Sequence, residues 1–260
     1  MASEKERIFE AALSAVLNEV DMILKKPQET ALKAFLLGND VSAVLPTGFG
    51  KSLIYQLAPL VAKKMDTNSN PVVVVVSPLV ALMEQQVKEA SKLGVTAMQL
   101  GVNSEEEIVS ASPMLLFGSP ESWILNEKWR NLLSTTKDLL GIVVDEVHLM
   151  YKWGQGEKGT RAFRECFSRL CELRSIVKTG TPILTLTASA DLEARARVQK
   201  LLLLDNPTMV NESPNRKNIR IGLKQHSGVS MDCLDWVRMW SLCFKRLEEL
   251  GGTALNLMRL

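Results

Sequence analysis

Short aliphatic runs alternate with longer amphipathic stretches along most of the chain. The aliphatic runs are bounded by turn-forming or polar residues and predict buried strands over residues 41–45, 71–77, 95–100, 114–117, 140–144 and 182–186. Between them, apolar residues recur at helical spacing and predict helices over residues 4–24, 27–37, 53–62, 79–92, 161–177 and 192–203. Strands that alternate with helices are typical of a parallel sheet with both faces covered. We therefore predict an α/β fold, a parallel sheet flanked by helices on both faces.

The carboxyl-terminal part of the chain departs from this alternation. Residues 205–218 are polar and contain Pro207 and Pro214, which predicts a linker or domain boundary. A short strand at 219–223 and one amphipathic helix follow, too little to close a second sheet. The predicted organisation is an N-terminal helix, a main domain, and a linker with the truncated start of a second domain, at residues 1–25, 26–210 and 211–260.

Composition narrows the class of protein. The 260 residues are 46% hydrophobic with a formal net charge of +2, which excludes a disordered chain and leaves nucleic-acid binding to be argued from local residues. No aliphatic run approaches the roughly 20 residues of a membrane span, and the charged start is not a secretory signal, so we expect no membrane partner. The four cysteines lack paired spacing, so we expect no structural zinc and an intracellular protein.

The first candidate for chemistry is the segment Gly48-Phe49-Gly50-Lys51-Ser52, preceded by Thr47, between a predicted strand and a predicted helix. Glycines allow a turn whose backbone N–H groups converge on a phosphate, and the helix N-terminus adds positive potential. Lys51 supplies a full charge and Ser52 a hydroxyl for Mg²⁺. The strict phosphate-loop pattern has glycine where this chain has Leu45, so a merely flexible glycine turn is the alternative.

The second candidate is the pair Asp145 and Glu146, directly after the predicted strand 140–144. Hydrolysis of a nucleoside triphosphate needs a carboxylate near Mg²⁺ and a group that orients the attacking water. Adjacent carboxylates at a strand end can divide these tasks, Asp145 for the metal and Glu146 for the water. The alternative is a solvated acidic turn.

Five segments, in the same order, resemble the motifs of RecQ-type superfamily 2 DNA helicases, where a residue such as Leu45 is usual. They are residues 45–56, 77–87, 119–121, 145–148 (Asp-Glu-Val-His, where the family usually has DEAH) and 186–190. The resemblance covers nearly the whole chain and implies the first RecA-like lobe of an ATP-dependent helicase. It also implies ATP and Mg²⁺ as cofactors, DNA as partner (single-stranded or partly duplex), 3′–5′ unwinding, and a nuclear location.

Carried over position by position, the resemblance implies roles for individual residues. The residues implied in ATP binding are Gln28, Thr47, Gly48, Phe49, Gly50, Lys51 and Ser52. The implied catalytic residues are Lys51, Asp145 and Glu146, and the implied Mg²⁺ ligands are Ser52 and Asp145. Contacts to nucleic acid fall to Ser77, Pro78, Ser119, Trp153, Phe163 and Arg164. The loop that contains Trp153, Phe163 and Arg164 is longer than in the family and lacks the histidine that the family has there. The alternative interpretation is that Trp153 and Phe163 are buried in the core.

Two other functions stay open. Family members hydrolyse ATP between two lobes, and the second lobe supplies an arginine that this sequence does not contain in a recognisable motif. The chain is therefore also interpreted as a truncated module that binds ATP and nucleic acid without unwinding. A related DExH RNA helicase is the third hypothesis, although the segment 46–56 favours DNA.

Overall fold

The structure is a computed structural model that describes residues 3–66, 69–149, 166 and 169–213. The chain divides into two units, and the described residues all belong to the first, Met1–Asn215. The predicted strand 219–223 and the helix after it lie outside the described residues. Within the described part, no helix is long and apolar enough to cross a membrane.

Seven strands form one sheet in which every pairing is parallel. They are β1 Val41–Val44, β2 Val72–Val76, β3 Ala97–Gln99, β4 Leu115–Gly118, β5 Leu139–Val144, β6 Ile183–Thr187 and β7 Thr208–Asn211. Their order across the sheet is β3-β4-β2-β5-β6-β1-β7. Because all strands run the same way, their carboxyl ends, and the loops that follow them, share one edge of the sheet.

Nine α-helices are present among the described residues. They are α1 Glu4–Val20, α2 Lys26–Leu36, α3 Lys51–Lys64, α4 Val80–Lys92, α5 Glu105–Ala111, α6 Pro120–Leu125, α7 Glu127–Thr135, α8 Leu173–Ile176 and α9 Leu192–Leu201. Helix α1 begins at a capping box in which Ser3 and Glu6 satisfy each other's backbone N–H groups. It ends four residues before the predicted boundary, where Asp21 adopts a left-handed conformation with φ 50°.

The sheet separates two hydrophobic cores. Along β2, Val73 and Val75 face the core built with α1, α2 and α3, whereas Val74 and Val76 face the core that holds Trp123. Successive side chains of a strand point to opposite faces, so a strand of continuous valine is stable only where both faces are covered. The predicted α/β architecture, with helices on both faces of a parallel sheet, is confirmed.

Two predicted elements are wrong in detail. The helix expected over 161–177 is, in its described part, a 3₁₀ turn at Leu170–Glu172 followed by the single turn of α8. Arg174 in this segment pairs with the buried carboxylate of Asp40 and donates to two backbone carbonyl oxygens. A basic pattern alone does not reveal this, because the acid it neutralises lies far away in sequence.

The predicted linker 205–218 contains β7, which pairs with β1 at the edge of the sheet. Thr208 N donates to Asp40 O at 2.8 Å, and Glu212 N donates to Val44 O at 2.9 Å. Only Val210 of this strand is buried. An edge strand is held mainly by backbone hydrogen bonds, so its sequence shows little of the apolar pattern that marks the central strands.

Candidate active site

The phosphate loop connects β1 to α3 at the carboxyl edge of the sheet. Gly48 and Gly50 have φ values of 77° and 86°, in the left-handed region that favours glycine. Phe49 N donates to Pro46 O at 3.1 Å, and Gly50 is the residue from which α3 begins at Lys51. The glycine turn is therefore folded tightly onto a helix N-terminus, the arrangement that binds phosphate groups.

Lys51 and Ser52 occupy the first turn of α3. Both side chains are partly buried, and Lys51 Nζ lies 3.4 Å from the carbonyl oxygen of Leu45, to which it donates a long hydrogen bond. This weak contact keeps the ammonium group above the loop and is easily exchanged for a phosphate oxygen, because a charge-assisted hydrogen bond to an anion is roughly twice as strong.

Gln28 lies underneath the loop and is only 2% exposed. Its Nε2 donates to the carbonyl oxygens of Phe49 and Gly50 at 3.0 and 2.9 Å, and its Oε1 accepts from Lys25 N at 2.8 Å. Packing is close enough that a Cβ on Gly50 would come 2.6 Å from Nε2. The structure thus brings Gln28 to the phosphate loop as expected for a nucleotide-site residue, while its amide protons are already donated to the loop itself.

The acid pair follows β5 at the same edge. Asp145 N continues the sheet by donating to Val76 O at 2.9 Å, and Asp145 Oδ1 accepts from Glu146 N at 2.9 Å. Glu146 has φ 47°, a left-handed conformation that costs a non-glycine residue about 1–2 kcal/mol. Backbone strain of this kind is typical of functional sites, where it aims a side chain that regular structure would direct elsewhere.

Burial of the acid pair changes its protonation. Burial and the adjacent charge of Glu146 raise the pKa of Asp145 to about 6, against the opposing effects of the Glu146 N–H and Lys51. For Glu146, burial raises the pKa, but contact with His148 and the charge of Lys51 outweigh it and leave the pKa below its usual value. Lys51 therefore acts electrostatically on both carboxyl groups, as expected if loop and acid pair form one site.

His148 links the acid pair to the end of β6. Its Nδ1 lies 3.1 Å from Thr187 Oγ1 and also 3.1 Å from Glu146 Oε2. The Thr187 hydroxyl donates to Ser189 O at 3.0 Å, so the contact requires Nδ1 to carry the proton. Glu146 Oε2 is buried, so its contact with His148 Nδ1 replaces a contact with solvent. His148 and Thr187 had no predicted role, although both lie in segments that the helicase resemblance covers.

The residues of the site suit Mg²⁺ bound together with a nucleotide. Mg²⁺ is usually held in proteins by one or two carboxylates and phosphate oxygens, and its ligands are hard oxygens. Ser52 and Asp145 offer such oxygens, and the carboxylate of Glu146 can accept a hydrogen bond from a water molecule. Among the described residues, no group of three or more His, Cys, Asp or Glu could hold a metal ion by protein ligands alone.

Two of the predicted nucleic-acid residues, Ser77 and Ser119, lie close together at this edge. Ser77 follows β2 and donates its backbone N–H to Gly118 O at 3.0 Å, which places it beside Ser119 after β4. Ser119 Oγ caps α6 by accepting from Ser122 N at 3.2 Å. A cavity of about 220 Å³ adjoins this cluster, lined by Val80, Met83, Gln99, Leu100, Gly101, Val102, Ser119 and Ser122. Pro78 lies next to Ser77 in sequence, whereas Trp153, Phe163 and Arg164 lie outside the described residues.

Comparison with known proteins agrees with this geometry. Residues 25–198 match the DEAD/DEAH box helicase family. The chain is 31% identical over 239 residues to the ATP-dependent DNA helicase RecQ of Synechocystis, covering 86% of this chain and 46% of that protein. It is 34% identical over 205 residues to the probable ATP-dependent DNA helicase RecS of Bacillus subtilis, covering 76% and 38%.

A relative from an animal and a solved structure extend the comparison. The RecQ-like DNA helicase BLM of Xenopus laevis is 30% identical over 229 residues, covering 81% of this chain and 16% of that protein. The crystal structure of the helicase MrfA bound to DNA has a TM-score of 0.57 at 19% identity, over 81% of this chain and 30% of that one, and supports the fold alone. The chain spans less than half the length of these relatives. It belongs to the DEAD/DEAH box helicase family, and the resemblance of its motifs to the RecQ type is confirmed.

Proposed function

We propose that this chain is the ATP-binding lobe of a RecQ-type DNA helicase and that it binds ATP with Mg²⁺ at the carboxyl edge of its sheet. The observation that carries the proposal is the placement of the phosphate loop and of a partly buried acid pair at one edge, within electrostatic reach of Lys51. Neither feature alone requires a nucleotide, but together they supply the groups that triphosphate hydrolysis needs.

Each residue of the site has a task in this proposal. The loop N–H groups and Lys51 would hold the phosphates, and Ser52 and Asp145 would hold Mg²⁺, which would supply charge neutralisation at the phosphate oxygens. Glu146 orients the attacking water through its carboxylate. His148 Nδ1 contacts both Glu146 Oε2 and Thr187 Oγ1, and so connects the acid pair to the end of β6.

The direct test is Lys51→Ala, measured by calorimetry with ATP and Mg²⁺. Loss of a hydrogen bond from a charged group costs about 1.5–3 kcal/mol, so we expect ATP to bind about 10- to 100-fold more weakly. The matched control is Lys63→Ala, an exposed lysine near the other end of α3, which should leave the Kd for ATP unchanged. ATP binding that is equally tight in both variants would refute the assignment of the loop.

We further propose that the partner at the edge holding Ser77 and Ser119 is DNA, with 3′–5′ unwinding by the whole protein. Support comes from the RecQ-type relatives and from hydroxyl groups that can donate to phosphate oxygens. Single-stranded DNA should then stimulate ATP hydrolysis more than single-stranded RNA of the same sequence, and greater stimulation by RNA would favour the RNA helicase hypothesis.

A strand-displacement assay on substrates with a 3′ or a 5′ overhang tests the polarity of unwinding. Nucleic-acid binding without any strand displacement would favour the truncated module that binds ATP and nucleic acid.

A nuclear location stays a proposal. The RecQ-like relative from Xenopus laevis comes from an animal, whereas those from Synechocystis and Bacillus subtilis come from bacteria, so the compartment depends on the source of the chain. A fluorescent fusion of the chain, viewed in cells of its source, would decide the point.

A further inference from the structure

A buried tyrosine of α3 reaches across to α4. Tyr55 is fully buried, and its hydroxyl donates to Gln86 Oε1 at 3.1 Å. The neighbouring Gln56, also buried, donates its side-chain N–H to the same oxygen at 2.9 Å. An amide oxygen has two lone pairs, so Gln86 Oε1 is fully used by these two donors. One side chain of α4 therefore satisfies two buried donors of α3.

Few apolar contacts hold α4 against the sheet. Of its 13 residues only Met83 and Ala90 are buried, and Val80 in its first turn is exposed. Gln86 lies three positions after Met83 and four before Ala90, which places all three on one face of the helix. An element with few buried apolar contacts has low local stability. The two hydrogen bonds to α3 are therefore a large part of what fixes the position of α4.

Tyr55 also lies between the two proposed binding regions of the carboxyl edge. It follows Lys51 by about one turn of α3. Burial raises the pKa of the tyrosine well above its usual value, and the charges of the acid pair and of Glu89 raise it further, so the hydroxyl stays protonated and donates. The Tyr55 ring meets the ring of Phe117 edge to face, with centroids 6.2 Å apart, and Phe117 lies two positions before Ser119.

Helices α3 and α4 each begin at one of the proposed sites. Helix α3 starts with Lys51 and Ser52 at the phosphate loop, and α4 starts three residues after Ser77. A ligand that orders the start of either helix also orders the contact between them, and the second ligand need not repeat that ordering. Each ligand then increases the affinity for the other by the same factor, because linkage is reciprocal.

We propose that Tyr55 and Gln86 are positioning residues through which nucleotide binding at the phosphate loop and DNA binding beside Ser77 and Ser119 strengthen each other. This inference rests on the proposed binding of ATP and DNA. Neither side chain is assigned to a ligand, so loss of their contact should separate the two binding events without abolishing either of them.

The test measures the Kd for ADP with Mg²⁺ by calorimetry on the 260-residue chain, without DNA and with a saturating single-stranded thymidine oligonucleotide. For the wild type we expect DNA to tighten ADP binding about fivefold or more, a usual coupling between two sites. Tyr55→Phe keeps the ring beside Phe117 and loses the donor, and Gln86→Leu loses the acceptor. In both variants the factor should fall below about twofold, while the Kd for each ligand alone changes by less than about twofold.

The matched control is Gln85→Leu, the same change one position earlier. Gln85 is exposed and donates to Glu89 of its own helix at 2.7 Å instead of reaching α3. Its coupling factor should equal that of the wild type. The double variant of Tyr55→Phe and Gln86→Leu should have the same factor as Gln86→Leu alone, because both groups act through one contact.

Three results overturn the proposal. The first is an unchanged coupling factor in Tyr55→Phe and Gln86→Leu, even with lower melting temperatures, because a merely structural contact affects stability alone. The second is an equal loss of coupling in Gln85→Leu. The third is independent binding of ADP and DNA by the wild type. If Gln86→Leu does not fold, Tyr55→Phe decides alone, since it leaves Gln56 paired with Gln86.

Failure of this inference is distinguishable from failure of the proposed function. A wild-type chain that does not bind ADP overturns the proposed ATP site, and one that does not bind the oligonucleotide overturns the proposed DNA partner. Binding of both ligands with no effect of one on the other overturns the coupling alone.

Discussion

Replacement of Asp145 by asparagine is expected to stabilise the chain while it removes the proposed metal ligand. The carboxyl group is forced into a partly buried position beside Glu146, and its pKa rises from 3.8 to about 6. At 1.36 kcal/mol per pKa unit this corresponds to about 3 kcal/mol, and the remaining exposure of the group reduces our expectation to about 2 kcal/mol. Asparagine keeps the oxygen that accepts from Glu146 N and carries no charge.

The difference in the free energy of unfolding between Asp145→Asn and the wild type depends on pH. A carboxyl group whose pKa is higher in the folded state binds its proton more tightly there than in the unfolded chain. The stability it contributes is therefore fully present below about pH 4 and is lost as the pH rises through about 6. We expect Asp145→Asn to be about 2 kcal/mol more stable than the wild type at pH 7.5, with the difference vanishing near pH 4.

Urea unfolding across this pH range, in EDTA and without nucleotide, measures the difference directly. A parallel thermal melt at pH 7.5 should show a rise of about 4–8 °C, at 2–4 °C per kcal/mol for a domain of this size. The control is Asp21→Asn, at an exposed residue in the left-handed conformation that asparagine also tolerates, where stability should change by less than about 0.5 kcal/mol. A variant of Asp145 that is no more stable than the wild type, or whose advantage is the same at pH 4 and pH 7.5, would refute the electrostatic reasoning.

Three further predictions concern the site and the sheet. Glu146→Gln should retain ATP binding but lose at least about 100-fold in the rate of phosphate release, because the water loses its orienting carboxylate; equal rates would contradict that role. Gly50→Ala should lower stability by about 1–3 kcal/mol in urea unfolding, since φ is 86° and a Cβ would approach Gln28 Nε2 to 2.6 Å; an unchanged midpoint would exclude this packing. Arg174→Ala should cost about 3–5 kcal/mol by leaving a buried carboxylate unpaired, whereas Arg197→Ala, in an exposed helical pair, should cost less than about 0.5 kcal/mol; similar losses would contradict the burial argument.

The elements of the fold could be predicted because their signals are local. Continuous apolar residues indicate the valine strand β2 and the strand before Asp145, and the glycines and the lysine indicate the phosphate loop. Once parallel strands are predicted, the acid pair and the loop must meet at the carboxyl edge, since every strand ends there. That much of the candidate site followed from the sequence.

Elements with weak local signals could not be predicted in the same way. Strand β7 buries one side chain and was expected to be a linker, because its stability comes from backbone pairing with β1 rather than from an apolar face. The ion pair of Arg174 with Asp40 could not be predicted, because the two residues lie 134 positions apart and nothing near Arg174 in sequence indicates a buried acid.

The fold class, the order of the motifs and the residue types available for nucleotide chemistry can be predicted from the sequence, because they depend on periodicity and composition over a few neighbouring positions. The contacts of Gln28 and Lys25 with the phosphate loop, the contact of His148 with Thr187 and the raised pKa of Asp145 are seen only in the folded chain. Each of these depends on the distance and burial between groups distant in sequence, and such distances are set by the packing of helices on the sheet.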